Sequence, residues 1–246
     1  MWSFITNITN LASPKKFVHF ANHAMPWLTA GFLALFSYGL IGGLIFAPAD
    51  YLQGDGFRIL YVHVPAAFLS LFIYIVMTVA AIAGLVWRLK LASSVIRHSA
   101  PLGAGFAFLA LFTGSLWGKP MWGTWWMWDA RLTSELILFF LYIAIILFQS
   151  AITQKRHSER AVAILILVGC IDIPIIHYSV YWWNTLHQGQ TLKLFEKSAI
   201  DASMLYPLLA MIAAFFLYYL IVLLQRMRYD LVVMQNNAHW LETQNR

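Results

Sequence analysis

Six long apolar runs, at about 26–46, 64–87, 101–117, 136–152, 161–181 and 205–224, constrain this chain more than any other feature. Each approaches or exceeds the roughly 17–25 residues that a helix needs to cross a bilayer. Lipid offers the backbone no hydrogen-bond partner, so each run must satisfy its own amides as a helix. Composition agrees: 61% of residues are hydrophobic and 11% charged, against roughly 25% charged in a soluble domain. The sequence therefore predicts an all-α membrane protein, with six transmembrane helices in a single integral membrane domain over residues 1–246. Gly103, Gly105 and Gly114 dilute the third run and make it the weakest of the six.

Basic residues set the orientation. With the N-terminus inside, cytoplasmic segments carry Lys15, Lys16, Arg88, Lys90, Arg97, Lys155, Arg156, Arg160, Arg226, Arg228 and Arg246. The outer segments carry Arg58, Lys119, Arg131, Lys193 and Lys197. Eleven against five places both termini in the cytoplasm. The rule also accounts for the formal charge of +6, so no nucleic-acid partner is needed and the lipid bilayer is the expected surrounding. Ala47-Pro48-Ala49 has the small residues of a signal cleavage site, but the preceding run is longer than a signal core of about 7–15 residues and is read as a retained helix. Cys170 is the lone cysteine and reads as a small apolar residue. Without CxxCH or CxxC, neither c-type haem attachment nor dithiol chemistry is open to the chain.

The inner connections, WRLKLASSVIRH and QKRHSER, are basic and short, and the tail from Gln225 reads at most as a short helix. No Walker motif is present, so ATP hydrolysis belongs elsewhere. The outer connections, roughly 47–63, 118–135 and 182–204, hold the chemistry. The middle one is WGKPMWGTWWMWDAR, residues 117–131, between the third and fourth runs. Drawn as a helix, it puts Trp122, Trp125, Trp126 and Asp129 at offsets 0, 3, 4 and 7, on one face lying along the membrane surface. The plain alternative is an interfacial aromatic belt. Belt tryptophans come singly at span ends, whereas these cluster inside one connection, which favours a platform for a flat ligand.

Histidines indicate which ligand. His19, His23, His98, His157 and His239 fall on the inner side and read as ordinary polar residues. His63, in RILYVHVPAAF, lies where Pro65 suits the first turn of the second span, and His187, in YWWNTLHQG, lies just past the fifth. Two histidines on separate outer segments, with an aromatic shelf between them in sequence, match a planar metal macrocycle. Neutral imidazole is a good axial ligand for haem iron. Arg58 and Arg131, with Lys119 behind them, are the expected partners of the propionates. His177 reads as a buried helix histidine satisfied by a neighbour. Pro174 is expected to free a carbonyl and kink the fifth span beside Asp172, which receives no role. Glu135 reads as an acid favouring the N-terminus of the fourth span.

WGKPMWGTWWMWDARLTSEL resembles the tryptophan-rich WWD signature of haem-handling membrane proteins. Together with FAPADY, YVHVPAA and PIIHYSVYWWNTLHQG, it closely resembles the CcmC family, over about 1–230. The resemblance implies system I cytochrome c maturation at the periplasmic face of the bacterial inner membrane. It implies that haem b is held there and presented to the haem chaperone CcmE, beside the ABC transporter subunits CcmA and CcmB and the small membrane protein CcmD. The family's haem-ligating histidines fall on His63 and His187, and its signature falls on Trp117, Trp122, Trp125, Trp126, Trp128 and Asp129. The chain would then be a haem-presenting subunit rather than an enzyme. It would supply no nucleophile and act by holding haem in a fixed orientation. A haem permease is the alternative. It asks for polar groups at several depths of the membrane, for which the sequence offers only Asp172 and His177, both in one span. A b-type electron-transfer subunit would instead bury its histidines within the bilayer, a purely structural anchor leaves the paired histidines unexplained, and the related cytochrome c synthases are much longer.

Overall fold

A computed structural model describes residues 14–151, 154–183, 187 and 200–244. Lys193, Lys197 and Arg246, counted above for orientation, lie outside the described residues. The helices are α1 (Pro14–Ile41), α2 (Leu60–Trp87), α3 (Lys90–Trp122), α4 (Ala130–Ala151), α5 (Lys155–Gly169), α6 (Asp172–Trp182) and α7 (Ala202–Gln244). A π-helical turn, Gly42–Phe46, extends α1, and a 3-10 turn, Asp55–Ile59, leads into α2. Among the described residues, six helical stretches are long and apolar enough to cross a membrane: Lys15–Phe46, Asp55–Trp87, Leu91–Trp122, Ala130–Ala151, His157–Trp182 and Ala202–Met234. The described residues contain no strand, only an isolated bridge between Asp50 and Gly54.

α2 stands at the centre, packed against α3, α5 and α7, while α4 contacts α3, α5 and α6, and α1 leans on α7. Ala66, Leu69, Ile73, Tyr74, Met77, Ala80 and Ala81 of α2 recur at helical spacing and are all buried in the main core. Leu138, Tyr142 and Ile145 of α4 and Ile166 of α5 face them. Large apolar side chains elsewhere point outward, among them Phe68, Val79, Phe108, Phe140 and Leu147. In water such a surface would aggregate; in a bilayer it is the face that meets lipid. A second, smaller core joins Ala47, Phe57, Leu60 and Tyr61 to Leu208 and Met211 near the loop after α1.

Three expectations about elements change, and one about a side chain. The inner connection WRLKLASSVIRH is mostly helix: Arg88 alone takes a left-handed φ of 52°, and α3 starts at Lys90. The tail is no short separate helix, because α7 runs on through it for 43 residues in all. α2 begins at Leu60 on the preceding 3-10 turn, so Pro65 lies inside the helix rather than in its first turn. The fifth crossing is split, and Pro174 supplies the reason. Proline has no N–H to give the carbonyl four residues back, that of Cys170. That carbonyl accepts instead from Ile173 N at 3.2 Å, and α6 restarts at Asp172. The restart sets Ile176 and Ser179 inward and leaves His177 on the exposed side against Tyr178, not buried as expected.

Candidate functional site

The tryptophan segment is not a helical shelf. α3 ends at Trp122, where Gly123 takes φ 76° and its N–H returns to Lys119 O at 3.1 Å. A left-handed residue after the last turn is the common helix stop, and glycine adopts it without a Cβ clash. The next helix starts from Asp129, whose Oδ1 accepts Leu132 N–H at 2.8 Å, an N-cap. Thr124–Trp128 therefore crosses from one helix to the next as irregular chain, with Thr124 Oγ1 donating to Trp126 O at 3.0 Å. The 0, 3, 4, 7 spacing has no helix to act on. Trp125 and Trp128 are exposed, Trp126 and Trp128 meet edge to face with centroids 5.4 Å apart, and Lys119 Nζ stands 5.9 Å over Trp125. Trp126 Nε1 is buried and has no hydrogen-bond partner among the described residues.

The two histidines come together from distant parts of the chain. His63, on the first turns of α2, and His187 have ring centroids 6.4 Å apart at an interplanar angle of 30°. Trp117 meets His63 edge-on at 5.6 Å, and Trp122 lies 6.0 Å from His187. Two imidazoles bound trans to one metal, with bonds of roughly 2.0 Å, put their centroids about 6 Å apart. The His63 ring is also fixed. Its Nδ1 lies 3.1 Å from Ala110 O and 3.1 Å from Thr113 Oγ1. Ala110 O can only accept, so Nδ1 carries the proton and Nε2 keeps its lone pair for a ligand. Thr113 gives its own proton to Leu109 O at 2.6 Å and stands as a second acceptor. Gly114 lets α3 approach this closely, since a Cβ there would lie 3.1 Å from His63 Cε1.

The loop after α1 braces the site. Trp117 Nε1 donates to Gln53 Oε1 at 2.9 Å, tying the end of α3 to that loop. Arg58 turns into the same loop. Its Nε donates to Asp55 at 3.0 Å, one terminal nitrogen to Gly43 O at 2.7 Å and the other to Ala47 O at 3.0 Å. Arg131 differs: it lies in α4 within charge range of His63, Asp129 and Glu135. Thus His63, His187, Trp117, Trp122 and Arg131 gather, while Arg58 holds a loop, Asp129 starts a helix, and Trp125, Trp126 and Trp128 pair among themselves and with Lys119.

Sequence reasoning missed Ala110, Thr113, Gly114 and Gln53. A signal existed: Ala110, Thr113, Gly114 and Trp117 sit at offsets 0, 3, 4 and 7, a helix face of small residues leading to a tryptophan. Glu135 does not serve the N-terminus of α4. It is the sixth residue of α4, beyond the first turn, and points into the bundle, where Ser70 Oγ lies 2.8 Å from its Oε1. Asp172 is also buried, and its Oδ2 has no partner among the described residues. Buried polar groups therefore occur on α2, α4 and α6.

A family profile described as CcmC, heme exporter protein C, matches residues 7–242. Heme exporter protein C of Escherichia coli (strain K12) is 47% identical over 241 residues, covering 98% of this chain and 96% of the relative. The protein of that name from Haemophilus influenzae is 48% identical over 210 residues, 85% of each chain. That from Bradyrhizobium diazoefficiens is 45% identical over 225 residues, 92% of this chain and 85% of its own.

Proposed function

This chain belongs to the CcmC family, heme exporter protein C, and from that premise we propose that it binds haem b between His63 and His187 and presents it for cytochrome c maturation. The observation that carries the reading is the pair of imidazoles 6.4 Å apart, one of them locked with Nε2 as the free nitrogen. His63 and His187 would hold the iron, with Trp117 and Trp122 against the two imidazoles. Residues 117–131 form the haem-binding segment of one integral membrane domain. Arg131 is the better placed propionate partner, because three nitrogens of Arg58 already serve the loop. Trp126 Nε1 adds a buried donor in need of an acceptor, and the exposed Trp125 and Trp128 offer an aromatic edge to an incoming protein.

The site faces the periplasm of a bacterial inner membrane, with both termini in the cytoplasm. The receiver is the haem chaperone CcmE, whose own nucleophile bonds the haem; this chain orients it, a proximity effect. CcmA and CcmB supply ATP hydrolysis, and CcmD completes the assembly. The permease alternative gains buried polar groups on more helices than the sequence suggested. They are packed between helices, however, and Ile73, Met77, Leu138 and Ile145 are fully buried in the same core.

The test is the absorption spectrum of purified protein, wild type beside the His63→Ala/His187→Ala double variant. A six-coordinate haem spectrum lost in the double variant is the expected result. Equal haem content in both would end the axial-ligand reading.

A further inference from the structure

Ser70 Oγ lies 2.8 Å from Ala67 O and 2.8 Å from Glu135 Oε1. A serine hydroxyl has one proton to donate, and a backbone carbonyl only accepts. Both contacts are hydrogen bonds when Glu135 supplies the second proton: its carboxyl O–H donates to Ser70 Oγ, and Ser70 O–H donates to Ala67 O. The alternative shares the one serine proton between two acceptors in the bundle interior, where Ser70 is fully buried and Glu135 is 8% exposed, and leaves each bond weaker. The geometry is held from a third side by Tyr142, whose hydroxyl donates to Ser70 O at 2.6 Å.

Asp172, at the start of α6, brings a second carboxyl within charge range of Glu135. The other titratable groups around Glu135 are Arg131 and Tyr142 on its own helix, with Tyr74 of α2 and Tyr219 of α7 reached through Tyr142. Arg131 is the one cation of this set. It lies one helical turn from Glu135 and within charge range of His63.

We propose that Glu135 is a proton-bearing positioning residue for the haem site: protonated, it leaves the charge of Arg131 to the haem carboxylates, and ionised, it takes that charge back. The inference rests on the haem reading above and adds a proton to it. Haem loading and protonation of Glu135 then favour each other. Raising the pH through the titration of Glu135 weakens haem binding, by up to about tenfold per pH unit.

Two measurements on the full chain in detergent test this. The first is infrared absorption of the haem-free protein. A carbonyl band of a protonated carboxyl is expected in wild type and is diminished in Glu135→Gln; no difference between the two overturns the proposal without touching the haem reading. The second is haemin titration across pH, followed by the Soret band. Glu135→Gln mimics the protonated acid, so it is expected to bind at least as tightly as wild type and with a flatter pH profile. Parallel profiles, or loss of haem from Glu135→Gln, overturn the proposal. Wild type that binds no better than His63→Ala/His187→Ala removes the haem reading itself, and this inference with it.

Discussion

His63 shows how much a single side chain depends on its neighbours. Its two ring nitrogens are distinguished by α3, which presents Ala110 O and Thr113 Oγ1 to one of them. Gly114→Ala would place a methyl 3.1 Å from Cε1 and force the ring to shift slightly against its two acceptors. We expect haem affinity to fall roughly tenfold, the lower range for a lost supporting contact. Unchanged affinity in a haemin titration would mean that α3 does not constrain the ring. Asp129 makes the converse point. It was legible as part of a signature, yet its carboxylate caps α4. Asp129→Ala should cost about 1 kcal/mol of stability, while Asp129→Asn, which can still cap, should melt near wild type. Equal melting of all three would deny the cap. Tryptophan and histidine stand out in the sequence because both are costly to place without a partner. The sequence did not reveal their separate duties, which depend on contacts with residues far along the chain.

Elements were legible where lipid dictates them and illegible where helix propensity alone decides. The apolar runs had to be helices, but nothing in hydropathy marks where a helix continues into water, so α3 and α7 overrun their runs at Lys90 and past Leu224. The tryptophan segment was misread because one spacing was weighed above two punctuation marks, Gly123 as a stop and Asp129 as a start. Pro174 was read correctly, since a missing N–H has the same effect in any context. Replacing it by alanine should give Cys170 O an amide partner and join α5 to α6. The new amide at position 174 is expected to exchange slowly and its neighbours more slowly than in wild type; fast exchange there would locate the break elsewhere. The start of α7 depends on Asp201, whose Oδ1 accepts from Ser203 N at 2.9 Å and from Ser203 Oγ at 2.6 Å. These bonds, the side-chain one first, hold the Asp201 carboxyl below its usual range. Their contribution is complete above the unfolded carboxylate's titration and is lost as pH falls through the folded one, so this end of α7 should fray first on acidification. Amide exchange at Ser203 against pH measures it.

At the scale of the molecule, the orientation carries the functional reading. In a Cys170→Ser background, cysteine at Tyr51, 90% exposed in the loop after α1, should react with an impermeant thiol reagent added to intact cells. Cysteine at the exposed Gln154, between α4 and α5, should not. The reversed pattern would place the histidine pair on the cytoplasmic side and remove the periplasmic assignment. The two cores divide along the same axis. The small one at Ala47, Phe57 and Tyr61 supports the histidine end, and the large one fills the rest.

α7 has a mechanical consequence. Its 43 residues rise about 64 Å, roughly twice the hydrocarbon thickness of a bilayer. At one end, the carbonyl of Met204 accepts from Tyr61 OH at 3.2 Å, two residues before His63. Toward the other end, Arg228 grips Asn22 at 2.7 Å and Asp230 grips His98 at 2.8 Å. One continuous rod thus bears on the base of the histidine site and on clasps near the opposite end. A twist applied to the overhang arrives at Tyr61 with little lost to bending, so force on one face of the membrane can be felt as strain on the other.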